Sequence, residues 1–330
     1  MQKKINWGII GLGHIAHKFV ADLKLIPNAT LHAVASTSEE RAQNFAAQYD
    51  AVHYYGSYEA MMDCPDLDVV YIATRHPQHH ANTLLCLKHK IPVLCEKPFA
   101  MNGGEVEEMI AAAKTNDTFL MEALWTRFLP TTKRVLEMIN EGVIGEVTAV
   151  KADFGFKAKF DEGGRLFNQN EGGGALLDIG IYPIFLSLLL FGKPEAIKAT
   201  ATIGPSQVDE TCHMIFKYPN NKMANLHTTL LNETATEAYI YGTKGSIRIN
   251  TRWHESTSVT LLLHGEEPKD IFFEFLGYGY RYEAEAVMEY LSGDEIEHPL
   301  MPHSFSIDLM GLLDWVREEA GILYPAYDRA

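Results

Sequence analysis

Cations are in short supply in this chain. Its 330 residues carry 28 Lys and Arg against 43 Asp and Glu, a formal charge of −15. That balance argues against nucleic acid or an anionic membrane as a partner, because both are held by basic surface. It leaves room for a local cationic pocket. Cysteine is also sparse. Cys64, Cys86, Cys95 and Cys212 are far apart and form no C-x-x-C pair, which fits free thiols in a reducing compartment. The longest apolar run, Ile181 to Phe191, is too short to span a bilayer. No secretory leader is read at the start either. Two lysines precede an apolar run, but Gly11, Gly13 and His14 interrupt it, so it reads as a first strand. There is no low-complexity tract and no internal repeat. A cytoplasmic globular protein is expected. Its length calls for two domains, placed at 1–125 and 126–330.

The first half alternates strands and helices. Ile5 to Ile10 ends in Gly11-Leu12-Gly13-His14-Ile15-Ala16. This is G-x-G-x-x-A between a strand and a helix. The first glycine permits the turn, the second lets backbone approach a pyrophosphate, and the small Ala16 allows close helix–strand packing. N–H groups at His14 and Ile15 would face the phosphates. The next strand, Thr30 to Ser36, ends without the acid that would bind a ribose 2′-hydroxyl. Ser36, Thr37 and Arg41 stand there instead and favour a 2′-phosphate, hence NADP over NAD. Strands at Val52–Tyr55, Val69–Ala73 and Phe119–Trp125, with helices between, imply a doubly wound parallel sheet. Thr74 and His76 follow a strand end and are assigned to the cofactor cleft. The cluster of His76, His79 and His80 has no thiol or carboxylate partner nearby and is read as a helix start. No metal is expected.

Val93-Leu94-Cys95-Glu96-Lys97-Pro98 is an apolar strand that stops in an acid, a lysine and a proline. Ligands of open parallel sheets bind beyond the carboxyl ends of the strands. Glu96 and Lys97 are therefore placed at the cofactor, and Pro98 holds Lys97 extended.

From Val147 short strands separated by turn signals indicate a mostly antiparallel sheet, giving an α/β chain with a C-terminal α+β domain. One helix opens Gly172-Gly173-Gly174-Ala175-Leu176-Leu177-Asp178-Ile179-Gly180-Ile181-Tyr182-Pro183. The glycines let backbone approach a ligand. Asp178 and Tyr182 share a face if the turn is regular, and Pro183 predicts a break near Tyr182.

Taken in this order and at these distances, the dinucleotide turn, Glu96-Lys97-Pro98 and the GGGALLDIGIYP stretch resemble the Gfo/Idh/MocA oxidoreductases over essentially the whole chain. The stretches at 76–79, 93–98, 121–128 and 176–182 are similar to the dihydrodiol dehydrogenase branch of that family. The resemblance implies NADP dependence, oxidation of trans-dihydrodiols or of pyranoses such as D-xylose, and a cis Lys97–Pro98 bond. Many relatives carry a histidine four residues after the aspartate. Tyr182 stands there in this chain, as in the dihydrodiol branch.

Tyr182 is then the expected general acid/base, with Lys97 as a cation that favours the phenolate and steadies charge on the reacting oxygen. Asp178 is expected to orient the substrate hydroxyl or Lys97. Trp125, Phe154, Trp253 and either Tyr278 or Tyr280 are expected to wall a ring-shaped substrate. Arg127 either grips a carboxylate or makes a structural ion pair. Lys157, Lys159 and Arg165 are the only cations near the glycine-rich helix, which counts against a phosphorylated substrate. A homodimer or higher oligomer through the C-terminal sheet is expected, since a sheet with helices on one face leaves the other uncovered. Two other readings stay open. One is a sugar-phosphate or inositol dehydrogenase. The other is a regulator that senses the cofactor without turnover, against which the presence of Lys97, Asp178 and Tyr182 argues.

Overall fold

A computed structural model describes residues 4–291, 293 and 295–328. The apolar run that feeds the Gly-x-Gly turn forms β1 (Ile5–Ile10), buried from Trp7 onward. In α1 (His14–Leu23) Ala16, Phe19, Val20 and Leu23 are buried, an i, i+3, i+4, i+7 stripe against the sheet. There follow β2 (Ala29–Ala35), α2 (Glu39–Tyr49), β3 (His53–Tyr55), α3 (Tyr58–Met61), β4 (Val69–Ile72), α4 (His79–Lys88), β5 (Val93–Glu96), α5 (Gly103–Asn116) and β6 (Leu120–Ala123). Side-chain caps start several helices: Ser38 accepts from the Arg41 N–H at 3.3 Å and Asn102 from the Glu105 N–H at 3.0 Å.

The six strands are all parallel, in the order β3-β2-β1-β4-β5-β6. This is the doubly wound sheet read from the sequence. The order reverses between β1 and β4, the position where such sheets bind ligands beyond their carboxyl ends. Phe19 stacks on Tyr71 at 3.8 Å and Trp7 leans on Phe19 at 5.4 Å, pinning α1 over β1 and β4. Each such pair adds about 1 kcal/mol to its area burial.

The second half holds α6 (Pro130–Asn140), β7 (Val147–Gly155), a π-helical turn at Leu176–Gly180, α7 (Ile181–Phe191), β8 (Ala196–Ile203), β9 (Asp209–Lys217), β10 (Met223–Thr229), β11 (Ala238–Gly242), β12 (Gly245–Ile249), β13 (Ser258–Leu263) and β14 (Lys269–Phe272). They form an eight-stranded sheet, β14-β13-β12-β11-β7-β10-β9-β8, in which only β7 and β10 run parallel. The chain closes with α8 (Arg281–Tyr290) and α9 (His303–Ala320). By compactness it divides into two units. One runs to Phe128 and takes in Phe275–Ile307, and the other holds Leu129–Glu274 and the chain from Asp308. A single boundary near residue 125 does not anticipate that return of the chain.

Three local expectations are corrected. Trp125 and Arg127 are not in the last parallel strand, which stops at Ala123. They lie in a 3-10 turn over Trp125–Phe128. The helix of Asp178 and Tyr182 is not broken at Pro183. Pro183 is the third residue of α7, where no helical N–H partner is required, and the irregularity sits before it as the π turn. Asp178 and Tyr182 are therefore not related by a regular α turn. Last, residues Gln169–Phe191 are long and apolar enough to cross a membrane, with mean hydropathy 2.0. Yet 83% of that window is buried inside the protein, as in a core helix.

The glycine run packs against its own chain and not toward a ligand. Gly174 has φ +117°, and a Cβ there would collide with Asp209 Oδ1. Its N–H donates to the Leu166 carbonyl at 2.9 Å, and the Gly173 N–H to the Asn168 carbonyl at 3.0 Å. Asp209 is fully buried and accepts the Leu176 N–H at 2.7 Å. Burial pushes its carboxyl up to about 7. The unfolded acid ionises near its ordinary 3.8 while the folded one keeps its proton to about 7. Its contribution to stability is therefore full below pH 3.8, falls as pH rises, and is gone above about pH 7. Asp209→Asn, which keeps the acceptor oxygen, should gain at least about 1 kcal/mol relative to the parent between pH 4 and 7.5. Melting curves across that range check it, and a constant difference would show that Asp209 does not titrate there.

Candidate active site

In the first unit the ends of β1 and β4 meet. The Gly11 N–H donates to the Ala35 carbonyl at 3.2 Å, and the Ala73 N–H to the Ile10 carbonyl at 2.7 Å. Gly11 has φ +89°, and a Cβ there would lie 2.7 Å from the Thr74 nitrogen. Only glycine fits. Gly13 differs: it is exposed, has ordinary φ, and a Cβ there would meet nothing within 4 Å. No side chain caps α1 at Gly13, and no acid stands in the helix's first turn. Exposed Gly13 and His14 and half-buried Ile15 thus present open space at an uncapped helix N-terminus, which suits a pyrophosphate.

At the end of β2, Ser36 is buried and its Oγ accepts the Ser38 N–H at 3.3 Å, so this hydroxyl serves the turn. Thr37 and Arg41 are exposed. Thr74 Oγ1 accepts from Asn82 Nδ2 at 3.2 Å, and buried His76 lies edge-on to His79, with ring centroids 5.9 Å apart.

Lys97 is half-buried, and the backbone around it is clamped. The Lys97–Pro98 peptide is cis. Glu96 Oε2 accepts the Lys97 N–H at 3.1 Å, and Glu96 Oε1 accepts the Tyr71 hydroxyl. Glu122 Oε1 accepts the Phe99 N–H at 3.1 Å. His79, read from the sequence only as part of a helix start, contacts the Pro98 carbonyl through Nδ1 at 2.8 Å and the Thr74 carbonyl through Nε2 at 3.1 Å. Burial pushes its imidazolium down to about 4, so at neutral pH the ring carries one N–H. Only one contact can then be a hydrogen bond, and the shorter one to Pro98 is the better placed.

The acids behind this clamp are out of water. Burial pushes Glu122 up to about 7. It pushes Glu283, wholly buried on α8, well above the carboxylate range, with Glu96 and Asp22 adding to the rise. The chain from Phe275 to Ile307 packs here. Trp125 stacks on Tyr280 at 4.6 Å, and Arg127 Nε donates to the Leu300 carbonyl at 3.0 Å. The bond identified for Arg127 is thus to main chain. Asp22 accepts the Tyr278 N–H at 2.7 Å and the Arg281 N–H at 3.2 Å. The Tyr278 ring is half-exposed, with Lys18 Nζ 5.4 Å from its centroid.

In the second unit the rings of Phe154, Tyr182 and His254 gather. Phe154 stacks on His254 at 4.1 Å, Phe154 lies 5.7 Å from Tyr182, and Tyr182 lies 5.2 Å from His254. Trp253 is buried and donates its indole N–H to the Asp153 carbonyl at 2.9 Å, which ties the turn carrying His254 to β7. His254, one position from Trp253, is the ring that joins this group and that the sequence reading passed over. Beneath lies a small core of Phe167, Ala175, Ile179, Val208 and Leu230. Asp178, nearly buried, is held by Arg165 through a bidentate pair, Nη1 to Oδ1 at 2.8 Å and Nη2 to Oδ2 at 3.2 Å. Leu166 is fixed by Gly174, as above, so the glycine turn delivers Arg165 to Asp178.

Comparison with known proteins identifies the family and the fold. Residues 5–124 match the oxidoreductase family with an NAD-binding Rossmann fold. Residues 132–248 match the GFO/IDH/MocA C-terminal domain. The chain is 37% identical over 331 residues to a trans-1,2-dihydrobenzene-1,2-diol dehydrogenase of Danio rerio, covering 97% of this chain and 98% of the other. Two solved structures share the fold. A 3-ketoreductase from Actinomadura kijaniata in complex with NADP superposes with TM-score 0.87 at 24% identity, over 96% of this chain and 98% of that one. A levoglucosan dehydrogenase in complex with NADH and levoglucosan gives 0.88 at 20%, over 97% of each.

The two glycines of the turn should separate on substitution. Gly13→Ala should cost less than about 1 kcal/mol of stability yet weaken dinucleotide binding at least about tenfold. Gly11→Ala should lose about 1–3 kcal/mol of stability as well. Thermal melts paired with cofactor titration check both. Unchanged cofactor affinity in Gly13→Ala would remove the turn from the binding site.

Proposed function

The chain belongs to the GFO/IDH/MocA oxidoreductase family, and from that footing we propose that it is an NADP-dependent dehydrogenase of a small uncharged diol or cyclic sugar. Trans-dihydrodiols and pyranoses such as D-xylose are the substrate class. The observation that carries this reading is the make-up of the substrate half. Phe154, Tyr182 and His254 offer ring faces, and Asp178, in the turn that leads into the helix of Tyr182, supplies a carboxylate. Arg165, a cation near the glycine turn, is engaged by Asp178. Ring faces and acceptors suit a hydroxylated ring, and the pairing of Arg165 counts against a phosphate.

Gly11, Gly13 and the uncapped N-terminus of α1 would hold the dinucleotide, whose nicotinamide would supply the acceptor for the carbinol hydride. Tyr182 takes the hydroxyl proton during oxidation and returns it during reduction. Lys97 stabilises negative charge on the reacting oxygen, and the clamp on its backbone fixes where that charge is met. Asp178, steadied by Arg165, orients a substrate hydroxyl. NADP is favoured because Thr37 and Arg41 stand exposed after β2, with no acid at the strand end to repel a 2′-phosphate.

The test is kcat/KM for trans-1,2-dihydrobenzene-1,2-diol, D-xylose, myo-inositol and a sugar phosphate, each with NADP and NAD. The diol or the unphosphorylated pyranose should lead, with NADP ahead of NAD. A sugar phosphate winning by more than about tenfold, roughly 1.4 kcal/mol of transition-state binding, would overturn the substrate class. Inactivity on all four despite tight NADP binding would mark a cofactor-sensing regulator instead.

A further inference from the structure

Away from the glycine turn, the first unit brings together His32, His53 and Cys64. Each offers a ligand atom, and these atoms lie within 4.8 Å of one another. They come from the middle of β2, the start of β3 and the loop after α3. His32 is buried, Cys64 is buried and His53 is half-buried. His32 sits at an irregularity of the sheet. β1 pairs Trp7 with Leu31 and then Gly8 with Ala33, so His32 is the extra residue of a bulge. Bulges re-aim a side chain, and they recur beside sites.

The bulged ring is oriented from outside the cluster. His32 Nε2 lies 2.8 Å from the Pro65 carbonyl, which can only accept. Nε2 therefore carries the proton, and Nδ1 keeps the lone pair. A histidine whose second nitrogen is held by a carbonyl is the usual outer support of a metal ligand. The ring of His53 meets that of His32 edge-on at 4.9 Å. The Cys64 thiol donates to the Pro65 carbonyl at 3.6 Å, the same carbonyl that orients His32.

We propose that His32, His53 and Cys64 form a binding site for a zinc ion, with water as the fourth ligand. Two imidazoles and a thiolate are the donor set of a borderline-soft divalent ion and are poor ligands for magnesium or calcium. Binding forms one Zn–S and two Zn–N bonds and releases the Cys64 thiol proton to solvent. His53, the least buried of the three, leaves a path of entry. The site lies below the carboxyl ends of the strands: His32 is level with Trp7 and Gly8, and the dinucleotide turn begins after Ile10. The ion would thus tie edge strand β3 and the Cys64 loop to β2, a role in holding the sheet edge and not in the redox step.

The experiment uses the full chain freed of metal by a chelator. One equivalent of Co²⁺ should give the near-ultraviolet thiolate-to-cobalt charge-transfer band and the visible bands of a tetrahedral ion, both displaced by one equivalent of Zn²⁺. Mg²⁺ should do nothing. Cys64→Ser should remove the charge-transfer band. His53→Ala should weaken Zn²⁺ binding by more than about 100-fold, the upper range for loss of a supporting residue. Retained dinucleotide binding shows that each variant is folded. Should Cys64→Ser fail to fold, thiol alkylation of the unaltered chain decides, since Zn²⁺ should protect one of its four cysteines. No charge-transfer band in the unaltered chain, or Zn²⁺ binding unmoved by His53→Ala, would overturn the proposal.

Discussion

The carboxylate of Glu96, buried at the end of β5, dictates where Lys97 stands. A buried carboxylate must find donors, and Glu96 takes them from the Tyr71 hydroxyl on the neighbouring strand and from the Lys97 N–H. Once that is made, the lysine backbone cannot drift. Glu122 repeats the device two residues on, holding the Phe99 N–H, and His79 reaches the Pro98 carbonyl between them. Three side chains from three elements therefore fix a turn that no local propensity would fix. The side chain that follows the strand is left aimed by its backbone, which is what charge stabilisation at a reacting oxygen requires.

An acidic chain meets its burial problem in two ways. One acid, Asp178, is paired with a cation, Arg165. Elsewhere burial raises the carboxyl toward its neutral form, outweighing Lys97 at Glu122 and Arg317 at Asp209, and reinforced by Glu96 and Asp22 at Glu283. The first arrangement supplies a carboxylate in the turn that leads into the helix of Tyr182. The second carries a pH-dependent cost, since each raised carboxyl weakens the fold as pH climbs toward its folded value.

The sequence announced whatever depends on neighbours in the chain. Gly11 and Gly13 were legible because the turn they make follows directly from a buried strand, and the parallel sheet from strands alternating with helices. Lys97, Asp178 and Tyr182 stood out as polar groups at the ends or inside apolar segments. What stayed hidden depends on distant partners. His79 looked like part of a helix start because its contact with Pro98 is long-range. Arg165 was noted as a nearby cation, but its pairing with Asp178 follows from a loop that Gly174 holds. Trp253 was expected to wall a ring, while its indole turns inward to the Asp153 carbonyl and His254 joins Phe154 and Tyr182 instead. The glycine run promised room for a ligand and instead packs on Leu166 and Asp209. The return of 275–307 to the first unit has no local signature at all.

The central claim is that Tyr182 moves the proton in an NADP-linked alcohol oxidation. The most direct measurement is kcat of Tyr182→Phe on the best alcohol found, with the NADP dissociation constant measured on the same preparation. The phenyl ring keeps the contacts with Phe154 and His254 and removes only the hydroxyl. The account predicts a kcat lower by about 10²–10⁴-fold with NADP affinity within about twofold. A variant that binds NADP normally and keeps kcat within about tenfold of the parent would contradict it.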